Sequence, residues 1–187
     1  MGIQGLTRYL RDTVSRWVDL REMEKKLVIA DGHFLAHSLA QGEIAAALIA
    51  RNDANPLALA FLHRIRWLEY AGLRVFVIFD GGVPPAKASV GLKRSKDREL
   101  ALRKRQEAQK TGGEVENGCG AVKISQDVVT VVAKHLREAR IDCIVAPYEA
   151  DAQLILSERE NASSAAFIYA NDGDLFVMGA QNVINKI

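Results

Sequence analysis

DCIVAPYEADAQL, residues 142–154, is the stretch on which the fold turns. Cys143, Ile144, Val145 and Ala146 make a short unbroken apolar run, the pattern of a strand buried on both faces. Pro147 ends the run, and from Glu149 the pattern turns amphipathic, so a helix begins where the strand stops. Strand, tight turn and helix together are the unit of a layered α/β fold. The turn also carries two acids, Glu149 and Asp151. One carboxylate there is ordinary, because it suits the positive end of a helix dipole. Two are either that effect repeated or a pair of ligands.

The same arrangement recurs along the chain. LVIA (27–30), VFVIF (75–79) and AAFIYA (165–170) read as three more strands of the same kind. Between them lie helical patterns: Leu57, Phe61, Ile65 and Leu68 share one face, and Val128, Val129, Val132 and Leu136 share another. This alternation predicts a mostly parallel central sheet flanked by helices, joined by right-handed crossovers. TGGEVENGCG (111–120) predicts a loop, and no internal repeat is present.

Each strand is followed by acid. Asp31 follows the first, Asp80 the second, Glu149 and Asp151 the third, Asp172 and Asp174 the fourth. In open α/β sheets ligands bind outside the carboxyl ends of the strands. Six acids gathered there would repel one another and hold some carboxyls protonated unless a cation neutralised them. Oxygen donors without His or Cys suit Mg²⁺ or Mn²⁺ rather than zinc. A single Asp at a strand end is more often a helix cap or turn residue, but six acids after four strands favour a metal site. Residues i and i+2 do not share a helix face. Spacing alone therefore gives one ligand from Glu149 and Asp151, while Asp172-Gly173-Asp174 suits an irregular strand exit better.

At 187 residues the chain has the size of one domain with a sizeable core, and its 49% apolar and 26% charged content is ordinary for a soluble protein. Cys119 and Cys143 are too few for a disulfide framework, which points to a reducing compartment; Cys143 reads as a small buried hydrophobe. No run of about 18 apolar residues exists to span a membrane. Charge is unevenly placed. Residues 87–110 hold nine Lys or Arg and three acids, so the rest of the chain sums to −4 against an overall +2. Such a basic stripe is the footprint of a polyanion partner, or else a solvated surface helix.

The motifs together resemble the structure-specific 5′-nuclease family, which includes flap endonuclease, exonuclease 1 and the XPG-type repair nucleases. MGIQGL at the N-terminus, VIAD with Asp31, FDGGVPP with Asp80, APYEADAQL with Glu149 and Asp151, and NDGDLFVMG with Asp172 and Asp174 match its motifs in order. DCIVAPYEADAQL, and His37 six residues beyond Asp31, look most like the eukaryotic exonuclease 1 branch. KASVGLKRS, with Lys87 and Arg94 seven apart, resembles the flap endonuclease arch equally well.

The resemblance implies a PIN-like nuclease core with a basic helical arch. It divides residues 1–187 into an N-terminal nuclease region (1–86), the arch and its loop (87–124) and an internal nuclease region (125–187), without the family's C-terminal DNA-binding part. It implies that Asp31, Asp80, Glu149, Asp151, Asp172 and Asp174 hold two Mg²⁺ ions, for which Mn²⁺ can substitute. Lys87 and Arg94 would be catalytic, reaching the scissile phosphate. Gly2, His37, Lys93, Arg98 and Arg105 would contact nucleic acid. The expected substrate is DNA with 5′ ends, flaps or nicks, and the expected setting is DNA repair or replication in the nucleus. Two departures stand against this. Asn171 occupies the place of a Glu that usually precedes the last acid pair, and a further metal-binding Asp of the family lies beyond Ile187. Intact acids favour the enzyme, and that missing acid favours a non-catalytic nucleic-acid-binding scaffold. A generic nucleotide-binding domain is disfavoured, since no Gly-rich phosphate loop follows a strand.

Overall fold

The structure is a computed structural model and describes residues 3, 5–82, 99–100, 103 and 122–185. In chain order the described helices and strands are α1 (Leu6–Thr13), β1 (Leu27–Asp31), α2 (Gly32–Leu39), α3 (Gly42–Arg51), α4 (Asn55–Tyr70), β2 (Arg74–Phe79), α5 (Gln126–Glu138), β3 (Asp142–Val145), α6 (Ala150–Glu160), β4 (Phe167–Tyr169), α7 (Asp174–Val177) and β5 (Val183–Ile184). The strands form one sheet in the order β3-β2-β1-β4-β5, and every pairing is parallel.

Side-chain alternation explains the layers. Successive strand residues point to opposite faces. Val28, Ala30, Val75, Val77 and Phe79 meet one apolar cluster, with Leu35, Leu57, Phe61, Ile65, Val128, Val132 and Leu136 of α2, α4 and α5. Leu27, Ile29, Ile78 and Ile168 meet the other, with Ala150, Leu154 and Ile155 of α6 and Leu175 of α7. Burial holds α4 in place. Leu57, Phe61, Ile65 and Leu68 are each fully covered, and each such side chain contributes roughly 1.5–3 kcal/mol.

The chain order is doubly wound. From β1 through β2 to β3 the chain steps one way with its helices on the first face. It then crosses back past β1 to β4 by way of α6, on the second face. Crossovers of one hand require this exchange of faces when the direction reverses. The reversal leaves a topological switch point between β1 and β4, where such sheets bind ligands.

Three expectations need correction. The 143–146 run is not a strand buried on both faces. β3 is the sheet's outer strand beside β2, its residues run from half-buried to exposed, and Val145 is 41% exposed. Cys143 is accordingly only partly buried. The fourth strand is shorter than 165–170, because Ala165 sits in the left-handed region (φ 47°) and turns the chain before Phe167. A fifth strand, Val183–Ile184, was not foreseen; two residues are too few to show a period. Most of the basic 87–124 segment, with the whole 111–120 loop, lies outside the described residues; only residues 99–100, 103 and 122–124 of it are described.

Candidate active site

Because the strands are parallel, the acids that follow β1 to β4 all stand at one edge of the sheet. Local chemistry sets each one. Asp31 ends β1 and caps α2: its Oδ1 accepts the N–H groups of His33 (2.8 Å) and Phe34 (2.9 Å). Asp80 leaves β2 and does the same service for a distant helix, its Oδ1 accepting the N–H of Ala150 at 2.7 Å, in the first turn of α6. Glu149 is the cap position of α6 and Asp151 lies in its first turn. Asp172 accepts the N–H of Asp174 at 2.9 Å, and Asp174 Oδ1 accepts the N–H of Ile3 at 3.0 Å. Capping does not exclude ligation of a strand-end Asp: the bonds of Asp31 and Asp80 to main-chain amides use Oδ1.

The exit of β2 is held tightly. Gly81 donates to the Tyr148 carbonyl (2.6 Å) and Gly82 to that of Pro147 (3.2 Å). A Cβ on Gly81 would stand 1.9 Å from the Ala146 carbonyl oxygen, so only glycine lets the two backbones close this far. On the other side Gln126, at the start of α5, donates through Nε2 to the carbonyls of Asp80 (3.1 Å) and Gly81 (2.8 Å). The close approach carries Asp80 to the N-terminus of α6, which is how acids about 70 residues apart become neighbours.

Electrostatics identify the acids that share one field. Burial first, and then the charges of Asp80 and Asp151, push the Asp31 carboxyl up from 3.8 to about 7, against the lowering effect of its two amide donors. Asp31, Asp80 and Asp151 thus form a mutually repelling set that a divalent cation would relieve, and their hard oxygen donors fit Mg²⁺ or Mn²⁺. Among the described residues no three acidic, imidazole or thiol side chains close into a ready-made metal cage. Glu149, Asp172 and Asp174 share the edge, with Asp172 and Asp174 on the β4 side of the switch point.

His33 was not foreseen as part of the site. Its Nδ1 accepts the N–H of Asp80 at 3.1 Å and stands 3.5 Å from Asp80 Oδ2. Burial lowers its pKa, partly offset by the charge of Asp80. Gln126 was also missed. Its place at a helix start predicts nothing about the carbonyls of a distant strand exit. His37 lies exposed on the last turn of α2. Gly2, Lys87, Lys93, Arg94, Arg98 and Arg105 lie outside the described residues. A cleft of about 410 Å³ lies at the amino ends of β1, β2 and β3, lined by Leu27, Arg74 and Asp142 among others, on the far side of the sheet from the acids.

Comparison with known proteins accords with this arrangement. The model described as the XPG N-terminal domain matches residues 1–101, and that of the XPG I-region matches residues 140–187. The chain belongs to the XPG family of structure-specific 5′-nucleases. The XPG-family relatives include exodeoxyribonuclease 1 of Schizosaccharomyces pombe, 32% identical over 190 residues, and exonuclease 1 of Drosophila melanogaster, 29% identical over 192. Each match covers 100% of this chain but only 33% and 25% of those proteins, so the chain spans a quarter to a third of their length. Among solved structures, the catalytic core of Rad2 in complex with DNA substrate superposes with a TM-score of 0.62 at 24% identity, over 97% of this chain and 50% of that one. Human GEN1 in complex with Holliday junction DNA gives a TM-score of 0.62 at 18% identity, over 100% and 41%. At these identities both describe the fold alone, a parallel sheet flanked by helices.

Proposed function

We propose that residues 1–187 form one nuclease core that hydrolyses DNA phosphodiester bonds near 5′ ends, flaps or nicks with two bound Mg²⁺ ions. The observation that supports this most directly is the placing of the acids that follow β1 to β4 at one edge of a parallel sheet, where Asp31 faces the charges of Asp80 and Asp151, an imbalance that a divalent cation resolves. Asp31, Asp80 and Asp151 would hold one side of the cation site and Asp172 and Asp174 the other, with Glu149 at the mouth of α6. Bound divalent cations would activate the attacking water and stabilise the leaving oxygen. Asp80, tied through its main chain and its Oδ1, keeps its position as charge changes nearby. Lys87 and Arg94, from the basic 87–110 segment, would stabilise the charge that builds on the phosphoryl oxygens. Lys93, Arg98 and Arg105 would track the strand backbone, His37 would stack on a base and Gly2 would let the chain start approach the substrate. The proposed setting is repair or replication in the nucleus.

Cleavage of a 5′-flapped DNA in Mg²⁺ tests the proposal, using the full-length protein. Asp80→Ala combined with Asp172→Ala should abolish both cleavage and calorimetric Mn²⁺ uptake. A double variant that binds Mn²⁺ as the parent does sinks the assignment of the acids. No cleavage by the parent on any 5′-ended substrate favours the scaffold reading. DNA affinity should also fall steeply with salt, and Arg98→Glu with Arg105→Glu should flatten that slope, since each lost phosphate contact releases fewer counterions. An unchanged slope makes the segment an ordinary solvated helix.

A further inference from the structure

We infer that His33 is a positioning residue: its unprotonated Nδ1 accepts the Asp80 main-chain N–H and so fixes that carboxylate for cation binding. This rests on the reading of Asp80 as a metal ligand. His33 stands on the first turn of α2, two residues beyond Asp31, with its side chain only 18% exposed and its ring edge-on to Phe79 (centroids 6.3 Å apart, 74°). Its own main-chain N–H is bound by Asp31 Oδ1, while its ring receives Asp80. One residue therefore touches the acids of both β1 and β2.

The direction of the bond follows from its partners. A main-chain N–H can only donate, so the nitrogen 3.1 Å from it presents a lone pair, and a neutral ring then carries its proton on Nε2. The competing arrangement is an Nδ1–H aimed at Asp80 Oδ2, 3.5 Å away, which would leave the amide without its acceptor. With the Asp80 carbonyl held by Gln126 and its Oδ1 by Ala150, His33 supplies the remaining tie on this residue's main chain. Removing the acceptor strands a part-buried N–H and loosens the strand exit that carries the ligand. Loss of such outer partners of metal ligands typically costs 10–100-fold in metal affinity.

The ring tautomer, read by nitrogen NMR in the unaltered protein, comes first. The Nε2–H form is expected, and an Nδ1–H form overturns the inference. Calorimetric titration with Mn²⁺ follows. His33→Phe, which keeps the ring and loses the acceptor, should bind about 10–100-fold more weakly and exchange its Asp80 amide hydrogen faster. His33→Asn, whose Oδ1 lies where Nδ1 was, should recover most of both. Equal Mn²⁺ affinity in His33→Phe and parent overturns the role, as does failure of His33→Asn to differ from His33→Phe. A parent that takes up no Mn²⁺ removes the metal reading instead, and the tautomer and the Asp80 amide exchange then still decide whether His33 holds Asp80. If His33→Phe does not fold, the tautomer alone decides.

Discussion

Asp31→Asn is expected to make the metal-free protein more stable at pH 8, and to do so while destroying its Mn²⁺ uptake. Asn is as good a helix cap as Asp, so the bonds to the His33 and Phe34 amides survive. What disappears is a buried charge facing Asp80 and Asp151. In the parent the folded Asp31 carboxyl titrates near pH 7, and in the unfolded chain near its ordinary 3.8. Between those values the folded state holds more protons than the unfolded one, so stability is highest below about pH 4 as far as this group is concerned. It declines as pH rises and is fully forfeited above about pH 7. Each pK unit corresponds to about 1.4 kcal/mol, so the loss is on the order of 2 to 4 kcal/mol. Urea unfolding in a chelator at pH 5 and pH 8 measures it. The parent should weaken between the two and Asp31→Asn should weaken less by roughly that amount. Saturating Mg²⁺ should restore the parent by mass action and leave the variant untouched. Parallel pH profiles for the two proteins would remove Asp31 from the coupled set.

Lys87→Ala, at the position proposed to reach the scissile phosphate, is expected to slow cleavage far more than it weakens binding. A cation beside the scissile phosphate interacts most strongly when negative charge accumulates on the phosphoryl oxygens, so it favours the transition state over the bound substrate. Loss of one such stabilising group slows a reaction by about 100- to 1000-fold. Single-turnover cleavage of a 5′-flap, compared with binding of the same DNA, separates the two effects. A rate loss of that order with affinity nearly intact is expected. Equal losses in rate and affinity would make Lys87 an ordinary phosphate contact.

Much of the fold was legible because its strands are continuous apolar runs and its helices have a clear period. Leu57, Phe61, Ile65 and Leu68 form the buried face that their spacing indicated. The error over β3 has a physical cause: an outer strand of a parallel sheet can carry the same apolar letters as an inner one, and only strand order tells them apart. The site was legible as a set of acids at one edge, since each follows a strand. Its internal wiring was not. That Asp80 would bind the α6 amide, that Gln126 would hold the Asp80 carbonyl, and that His33 would face Asp80 all depend on contacts across 46 to 70 positions. No local pattern encodes such partners. A lone His in a helical turn looks the same whether it packs idly or grips a neighbouring strand.

The bond from the Ile3 amide to Asp174 spans 171 positions. It joins the first described residue to the last of the six acids. Between them β4 must dock against β1 across the whole β2–β3 excursion before Asp172 and Asp174 reach Asp31. Closing so long a loop is entropically slow, and contacts this distant in sequence form late on a folding route. The edge that carries all six acids is therefore complete only once this long-range contact has closed.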